Sequence, residues 1–213
     1  MGYIFQPARH ELLEQIKRHA SVVRGRVLDV GAGSYARYQH LFIYDQYVKL
    51  DREGISGIDV VGSLEAIPLP DASFDSVVCT QVVGDVYNLP LAFSEFFRVL
   101  RPGGTLLLTE SFVDSLHDEP YDYWRITKHS LRRLSEDAGF TVQTIESRGG
   151  FWSVRAQMYI RYLINRFDIQ NRMYARAFNV LATLYGRIAL WRDKKDAHRD
   201  ILYTLGYVLI AVK

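Results

Sequence analysis

The chain has 213 residues, nearly half of them apolar, which is one domain plus an embellishment and excludes a disordered tail. A lone cysteine, Cys79, excludes an intramolecular disulfide and suits a reducing compartment. Met1 to His19 lacks a signal-type apolar core, and no window reaches the roughly eighteen uncharged apolar residues of a membrane span, so a cytoplasmic location is expected.

Taken in chain order, Pro7 to Ala20 has helical spacing, with Leu12, Leu13 and Ile16 on one side. Arg26 to Gly31 reads as a buried strand running into a glycine turn. Tyr47 to Leu50 is a second strand ending at Asp51, and Ile58 to Gly62 a third. Phe74 to Thr80 is a fourth, entered through the turn at Pro70–Ser73. Leu91 to Leu100 is a helix stopped by Pro102-Gly103-Gly104, and Thr105 to Thr109 is a fifth strand. A helix capped by Thr127 ends at Gly139, followed by a sixth strand, Thr141 to Ser147. Phe151 to Trp191 reads as two helices separated near Asp168–Asn171, and Ile201 to Val212 as the seventh strand. Strands alternating with helices predict an α/β fold with an open, largely parallel sheet covered on both faces. Ligands of such sheets bind beyond the C-terminal strand ends.

The first such end is Asp29-Val30-Gly31-Ala32-Gly33-Ser34. Glycines there permit positive φ and let a ligand lie against bare backbone, and a following helix would offer N–H groups to an anionic group. The loop also fits the dinucleotide pattern through Gly31, Gly33 and Ala36, with Asp51 about twenty residues on, so a nicotinamide-dependent oxidoreductase is one reading. Asp29, however, occupies a position that the dinucleotide fingerprint leaves to an apolar strand residue. A carboxylate there can accept hydrogen bonds from the loop or from a ligand ammonium.

Five motifs in order carry a more specific resemblance. They are Val27-Leu-Asp-Val-Gly-Ala-Gly33, Val48-Lys-Leu-Asp51, Glu65-Ala-Ile-Pro-Leu-Pro-Asp-Ala-Ser-Phe-Asp75, Val77-Val-Cys-Thr-Gln-Val82 and Phe97-Arg-Val-Leu-Arg-Pro-Gly-Gly104, with Ala138-Gly-Phe140 closing the series. Over about residues 25–147 the chain resembles the class I S-adenosylmethionine-dependent methyltransferases, specifically the small methyltransferase type 11-like domains. The resemblance implies a Rossmann-like, seven-stranded, mostly parallel sheet with an antiparallel last strand, spanning 1–213 as a single methyltransferase domain. It implies S-adenosyl-L-methionine as cofactor. Asp51, with Arg52 beside it, would accept the ribose hydroxyls; Asp29, Gly31, Ala32 and Gly33 would form the loop under the cofactor. Ser63, Leu64 and Glu65 would line the adenine pocket, and Gln81 and Val82 would close over the sulfonium end. Three positions depart from the family pattern: Tyr35 stands for the usual third glycine, Ser63 for an Asp, and Gly84-Asp85 for a Glu-His pair. They keep open a second reading, a non-catalytic partner protein with a decayed cofactor pocket.

His117-Asp-Glu-Pro-Tyr-Asp-Tyr-Trp-Arg125 follows strand five, at the rim where an acceptor must sit. His117 has a pKa suited to taking a proton near neutrality, and Asp85 and Tyr121 are the other candidate catalytic groups. Tyr121, Tyr123 and Trp124 can stack on a sugar or a flat ring, and Arg125 can hold an anionic group bidentately. A small-molecule or glycan-type O or N acceptor is therefore expected. No metal is expected, because the histidines have no paired spacing and no Cys partners of ligand type.

The net charge of +2 hides an asymmetry: residues 151–213 hold eleven Lys/Arg against four Asp and no Glu, a net +7, which leaves −5 on residues 1–150. Residues 151–195 are a helical insertion between strands six and seven with a large aromatic and aliphatic content and Arg155, Arg166, Arg176 and Arg187 about every eleven residues. Three roles fit it: a lid over the acceptor, a homodimer face, or a peripheral contact at the inner face of the membrane. Nucleic acid is not expected, since no reader motif accompanies the charge.

Overall fold

The computed structural model describes residues 4–171, 173–196 and 202–213. The chain divides into two compact units, a sheet unit (16–111, 116–146 and 207–213) and a helical unit (1–15, 112–115 and 147–206). The helical unit recruits the N-terminal segment, which periodicity along the sequence did not suggest.

The sheet has seven strands: β1 (Arg26–Val30), β2 (Gln46–Asp51), β3 (Val60–Val61), β4 (Phe74–Thr80), β5 (Leu100–Ser111), β6 (Thr141–Arg148) and β7 (Gly206–Val212). Their order is β3-β2-β1-β4-β5-β7-β6, with β1 to β5 parallel and β7 the antiparallel last strand. The beginning of the expected seventh strand, Ile201, lies outside the described residues. β1, β4 and the middle of β5 are near-continuous apolar runs, and Val27, Leu28, Phe74, Val77 and Leu106 to Leu108 are fully buried, as strands covered on both faces must be.

Three helices lead into strands of this sheet. α1 (Pro7–His19) precedes β1, α2 (Leu89–Val99) precedes β5 and α3 (Lys128–Asp137) precedes β6. α2 starts two residues earlier than its apolar period predicts, because the Asn88 side chain accepts the Leu91 N–H and Pro90 is preorganised for the first turn. It also ends earlier. Leu100 is already extended and pairs with Phe74, and a register shift then brings Thr105 opposite Ser76. β5 is therefore longer than the expected Thr105–Thr109, with Gly103 and Gly104 exchanging backbone hydrogen bonds with Lys213. Thr127 caps α3 as expected, accepting the Ser130 N–H.

In the helical unit, α4 (Phe151–Phe167) and α5 (Ala175–Asp196) form a helical hairpin broken at Asp168, which adopts the left-handed conformation (φ +47°). Its core holds Ile4, Ile160, Ile164, Ile169 and Ala182. Phe5 packs where a Cβ on Gly186 would stand, and its backbone N–H donates to Asn179 Oδ1 at 2.8 Å. Asp193 of α5 accepts the backbone N–H groups of Gly150, Trp152 and Ser153 at 2.9–3.0 Å, capping α4 from outside its own sequence. Among the described residues no helix is long and apolar enough to cross a membrane.

Candidate functional site

The C-terminal ends of β1 to β4 surround a cavity of about 540 Å³ within the sheet unit, inside the size range of small-ligand pockets. Its floor is the loop after β1. Gly31 has φ +67°, and a Cβ on it would lie 2.4 Å from Val82 Cγ2, so only glycine fits. Gly33 has φ +57° and nothing within 4 Å of where its Cβ would be, which leaves backbone bare toward the open space.

The loop is tied to the end of β2. Gly31 and Ala32 donate to the Leu50 carbonyl at 2.8 and 3.2 Å, and Gly33 donates to Asp51 Oδ2 at 3.0 Å. Asp51 Oδ1 accepts the Glu53 N–H at 3.1 Å. A carboxylate offers about four acceptor positions, so both oxygens retain capacity toward the cavity that Asp51 lines. Tyr35, at the position of the missing third glycine, is 91% exposed and is not among the lining residues.

No helix follows the glycine loop to offer N–H groups to an anionic ligand. Turns and a short 3₁₀ segment, Gln39–Leu41, occupy the connection from β1 to β2, and no α-helix lies there. A dinucleotide pyrophosphate depends on such a helix N-terminus, and the dinucleotide fold has no antiparallel strand slotted between its fifth and sixth strands. Both features weigh against the oxidoreductase reading.

Asp29 and Ala32 do not line the cavity. Asp29 is 5% exposed and accepts the Tyr47 hydroxyl at 2.8 Å. Burial pushes its carboxyl up to about 7, against the opposing effect of the Tyr47 hydrogen bond. The remaining sequence-derived cofactor candidates, Gly31, Gly33, Asp51, Arg52, Ser63, Leu64, Glu65, Gln81 and Val82, all line it. Ser63 Oγ accepts the Glu65 N–H at 3.1 Å, fixing the turn that presents these residues. Gln81 is a non-glycine residue at φ +61°, held by its N–H to the Thr109 carbonyl (2.8 Å) and by the Ser111 hydroxyl donating to its Oε1 (2.6 Å). Backbone strain of this kind concentrates at ligand sites.

The segment His117–Arg125 is anchored to the loop after β4: Tyr123 and Trp124 donate their backbone N–H groups to the Gly84 carbonyl, each at 3.0 Å. Buried Glu110 in turn accepts the Gly84 N–H at 3.0 Å. The two tyrosines and the two residues after them part company. Tyr121 and Tyr123 line the cavity, Tyr121 beneath the Arg52 guanidinium at 4.3 Å and Tyr123 edge-on to Tyr87. Trp124 and Arg125 do not; they line a separate groove with Leu89, Ile126 and His129. Arg125 forms a two-pronged ion pair with the buried carboxylate of Asp122, which it holds down at about 2, and the Trp124 indole N–H is spent on the Val86 carbonyl. Neither is turned to the cavity, because the fold uses both to pin the loop.

At the same end, Asp85, His117 and Asp118 bring one ligand-type atom each within 4.8 Å of one another. Sequence spacing could not reveal this convergence, since Asp85 is distant in the chain. Asp85 Oδ1 is buried without a hydrogen-bond partner, and burial raises its pKa, opposed by the nearby His117. Asp118, Tyr87, Glu53, Ile55 and Val86 also line the cavity and were not singled out from sequence. The one signal available was an aromatic, Tyr87, directly before the helix-capping Asn88.

Known proteins share this architecture. Residues 28–108 match the family model described as a methyltransferase domain. The chain is 32% identical over 152 residues to a probable S-adenosylmethionine-dependent methyltransferase of Mycolicibacterium smegmatis, covering 63% of this chain and 59% of that protein. It is 31% identical over 156 residues to the ubiquinone/menaquinone biosynthesis C-methyltransferase UbiE of Cronobacter sakazakii, covering 61% and 62%. The chain thus spans about 60% of the length of these relatives. Among solved structures, the [4+2]-cyclase SpnF superposes with a TM-score of 0.61 at 20% identity, over 95% of this chain and 81% of that one. Phosphoethanolamine N-methyltransferase 2 of Haemonchus contortus, in complex with S-adenosyl-L-methionine, gives 0.57 at 16% identity, over 95% and 52%. At these identities the structural likeness concerns the fold alone.

Proposed function

We propose that the chain is a class I S-adenosylmethionine-dependent methyltransferase, as its fold and its matched domain support, and that it methylates a small-molecule or glycan-type acceptor at an oxygen or nitrogen. The observation that carries the reading is the pairing of Gly33 with Asp51: bare backbone beside a carboxylate with unused acceptor positions, both lining a cavity of about 540 Å³. Asp51 and Arg52 would hold the ribose, Ser63 to Glu65 the adenine, and Gln81 with Val82 the sulfonium end. Bound S-adenosylmethionine supplies a methyl group already activated for transfer, so the protein's share is alignment of the acceptor and exclusion of water.

The acceptor would stack on Tyr121 and Tyr123, beside the Asp85–His117–Asp118 group. As the acceptor atom bonds to the methyl group, its own proton leaves to His117 or to the unpartnered oxygen of Asp85. The name of the Cronobacter relative makes carbon methylation an outcome to be distinguished by product analysis. Isothermal titration with S-adenosylhomocysteine tests the reading. Saturable binding in the micromolar range is expected; absence of binding with the fold intact would put a non-catalytic partner protein in its place, and binding of a nicotinamide cofactor instead would restore the oxidoreductase.

A further inference from the structure

α5 carries two apolar faces. One, with Ala182, Ala189 and Leu190, is buried in the helical unit. The other is not covered: Val180, Leu181, Leu184, Ile188 and Trp191 are 48–68% exposed. At 3.6 residues per turn Leu181, Leu184, Ile188 and Trp191 recur at spacings of three and four, with Val180 one turn before Leu184, along one stripe of roughly 16 Å.

The charges of the helix are sorted between the two faces. Arg176, Arg187, Arg192, Lys194 and Lys195 are exposed and, at about 100° per residue, fall within the half of the helix that carries the stripe. The only acids of α5, Asp193 and Asp196, fall on the opposite half. Asp193 is engaged by three backbone N–H groups at the start of α4, and Asp196 accepts the Trp152 indole N–H at 3.1 Å. Lys195 sits over the Trp191 ring at 3.9 Å, which joins a cation to the aromatic end of the stripe. Among the described residues of α5 the uncovered face is therefore apolar along its middle, cationic at its margins, and without a carboxylate.

We propose that this face of α5 rests on an anionic lipid surface. Apolar side chains would enter the boundary between headgroups and acyl chains, and the flanking cations would meet lipid phosphates. A second copy of the chain is a poorer occupant: a two-fold contact sets the same patch against itself, so that cation margins would meet with no acid of α5 to answer them. The proposal goes beyond the methyl-transfer reading and stands or falls independently of it.

Co-sedimentation of the full chain with phosphatidylglycerol-containing vesicles, against pure phosphatidylcholine vesicles, tests it. Binding to the anionic vesicles, weakened by added salt, is expected. Leu184→Asp should abolish it, and Arg187→Glu with Lys195→Glu should reduce partitioning roughly thirtyfold or more, at about fivefold per cation lost. Both variants change exposed side chains, and unaltered circular dichroism melts would verify that they fold. Equal or negligible binding to both vesicle types would overturn the proposal. So would a concentration-dependent dimer that Leu184→Asp dissociates, which would assign the face to a second copy.

Discussion

The Tyr47 hydroxyl donates a 2.8 Å hydrogen bond to the Asp29 carboxylate beneath the glycine loop. Burial raises the Asp29 pKa from 3.8 to about 7 in the folded protein, so the native state holds a proton there that the unfolded chain releases. The associated stability is therefore fully present below about pH 4 and is lost as pH rises through 7. Asp29→Asn should flatten the dependence of Tm on pH between about 4 and 7 and stabilise the protein by about 1–3 kcal/mol at pH 8. Thermal melts across that pH range check it; a wild-type Tm that changes with pH no differently from that of the variant would contradict the buried, protonated carboxyl.

Asp51 is the carboxylate whose free acceptor positions face the cavity. A charge-assisted hydrogen bond contributes roughly 1.5–3 kcal/mol, so Asp51→Ala should weaken S-adenosylhomocysteine binding at least about tenfold. Calorimetric titration reads this directly, and an unchanged Kd would remove Asp51 from the cofactor site.

Gly31 meets Val82 at a distance that no Cβ tolerates, and its φ of +67° disfavours any L side chain. Gly31→Ala should cost about 2–4 kcal/mol from overpacking and backbone strain together. In the Gly31→Ala background, Val82→Ala should recover the packing part and leave roughly 1 kcal/mol of strain. Urea denaturation of the two single variants and the double variant would show whether the sites couple; simple additivity would mean that they do not touch.

Arg125 holds the Asp122 carboxylate, whose side chain is only 2% exposed, at a pKa of about 2. Arg125→Ala leaves the Asp122 carboxylate with the His117 N–H but without its cation and should destabilise the sheet unit by about 1–3 kcal/mol at pH 7. Because the folded pKa is depressed, the pair's contribution is present above about pH 4 and is lost as pH falls through 2. The difference between wild type and variant should therefore shrink in acid. Arg125→Lys should not restore the two-pronged bond. A variant destabilised equally at pH 7 and pH 3 would point to lost packing instead.

Much of the cavity lining around the glycine loop was legible because its signals are local. Gly31 and Gly33 follow a buried strand, Asp51 ends the next, and Gln81-Val82 closes the fourth, so the alternation of strands sufficed to bring them together. The side formed by the loop after β5 was only partly legible. A run of aromatic and charged residues from His117 to Arg125 set this segment apart, yet adjacent residues in an irregular loop take unrelated directions. Tyr121 and Tyr123 line the cavity while Trp124 and Arg125 pin the loop. No periodicity governs such a segment, so no pattern could divide it.

Short-range chemistry, readable in the sequence by itself, determined the order of strands and helices, the glycine loop, and the carboxylate at the end of β2. Tertiary structure decided which groups meet across long separations in the chain. It drew Asp85 toward His117 and Asp118, sank Asp29 under Tyr47, and turned both acids of α5 inward so that its uncovered face kept only cations. Local propensity and hydrophobic period act within a few residues, whereas burial and charge pairing depend on neighbours that only the folded chain supplies.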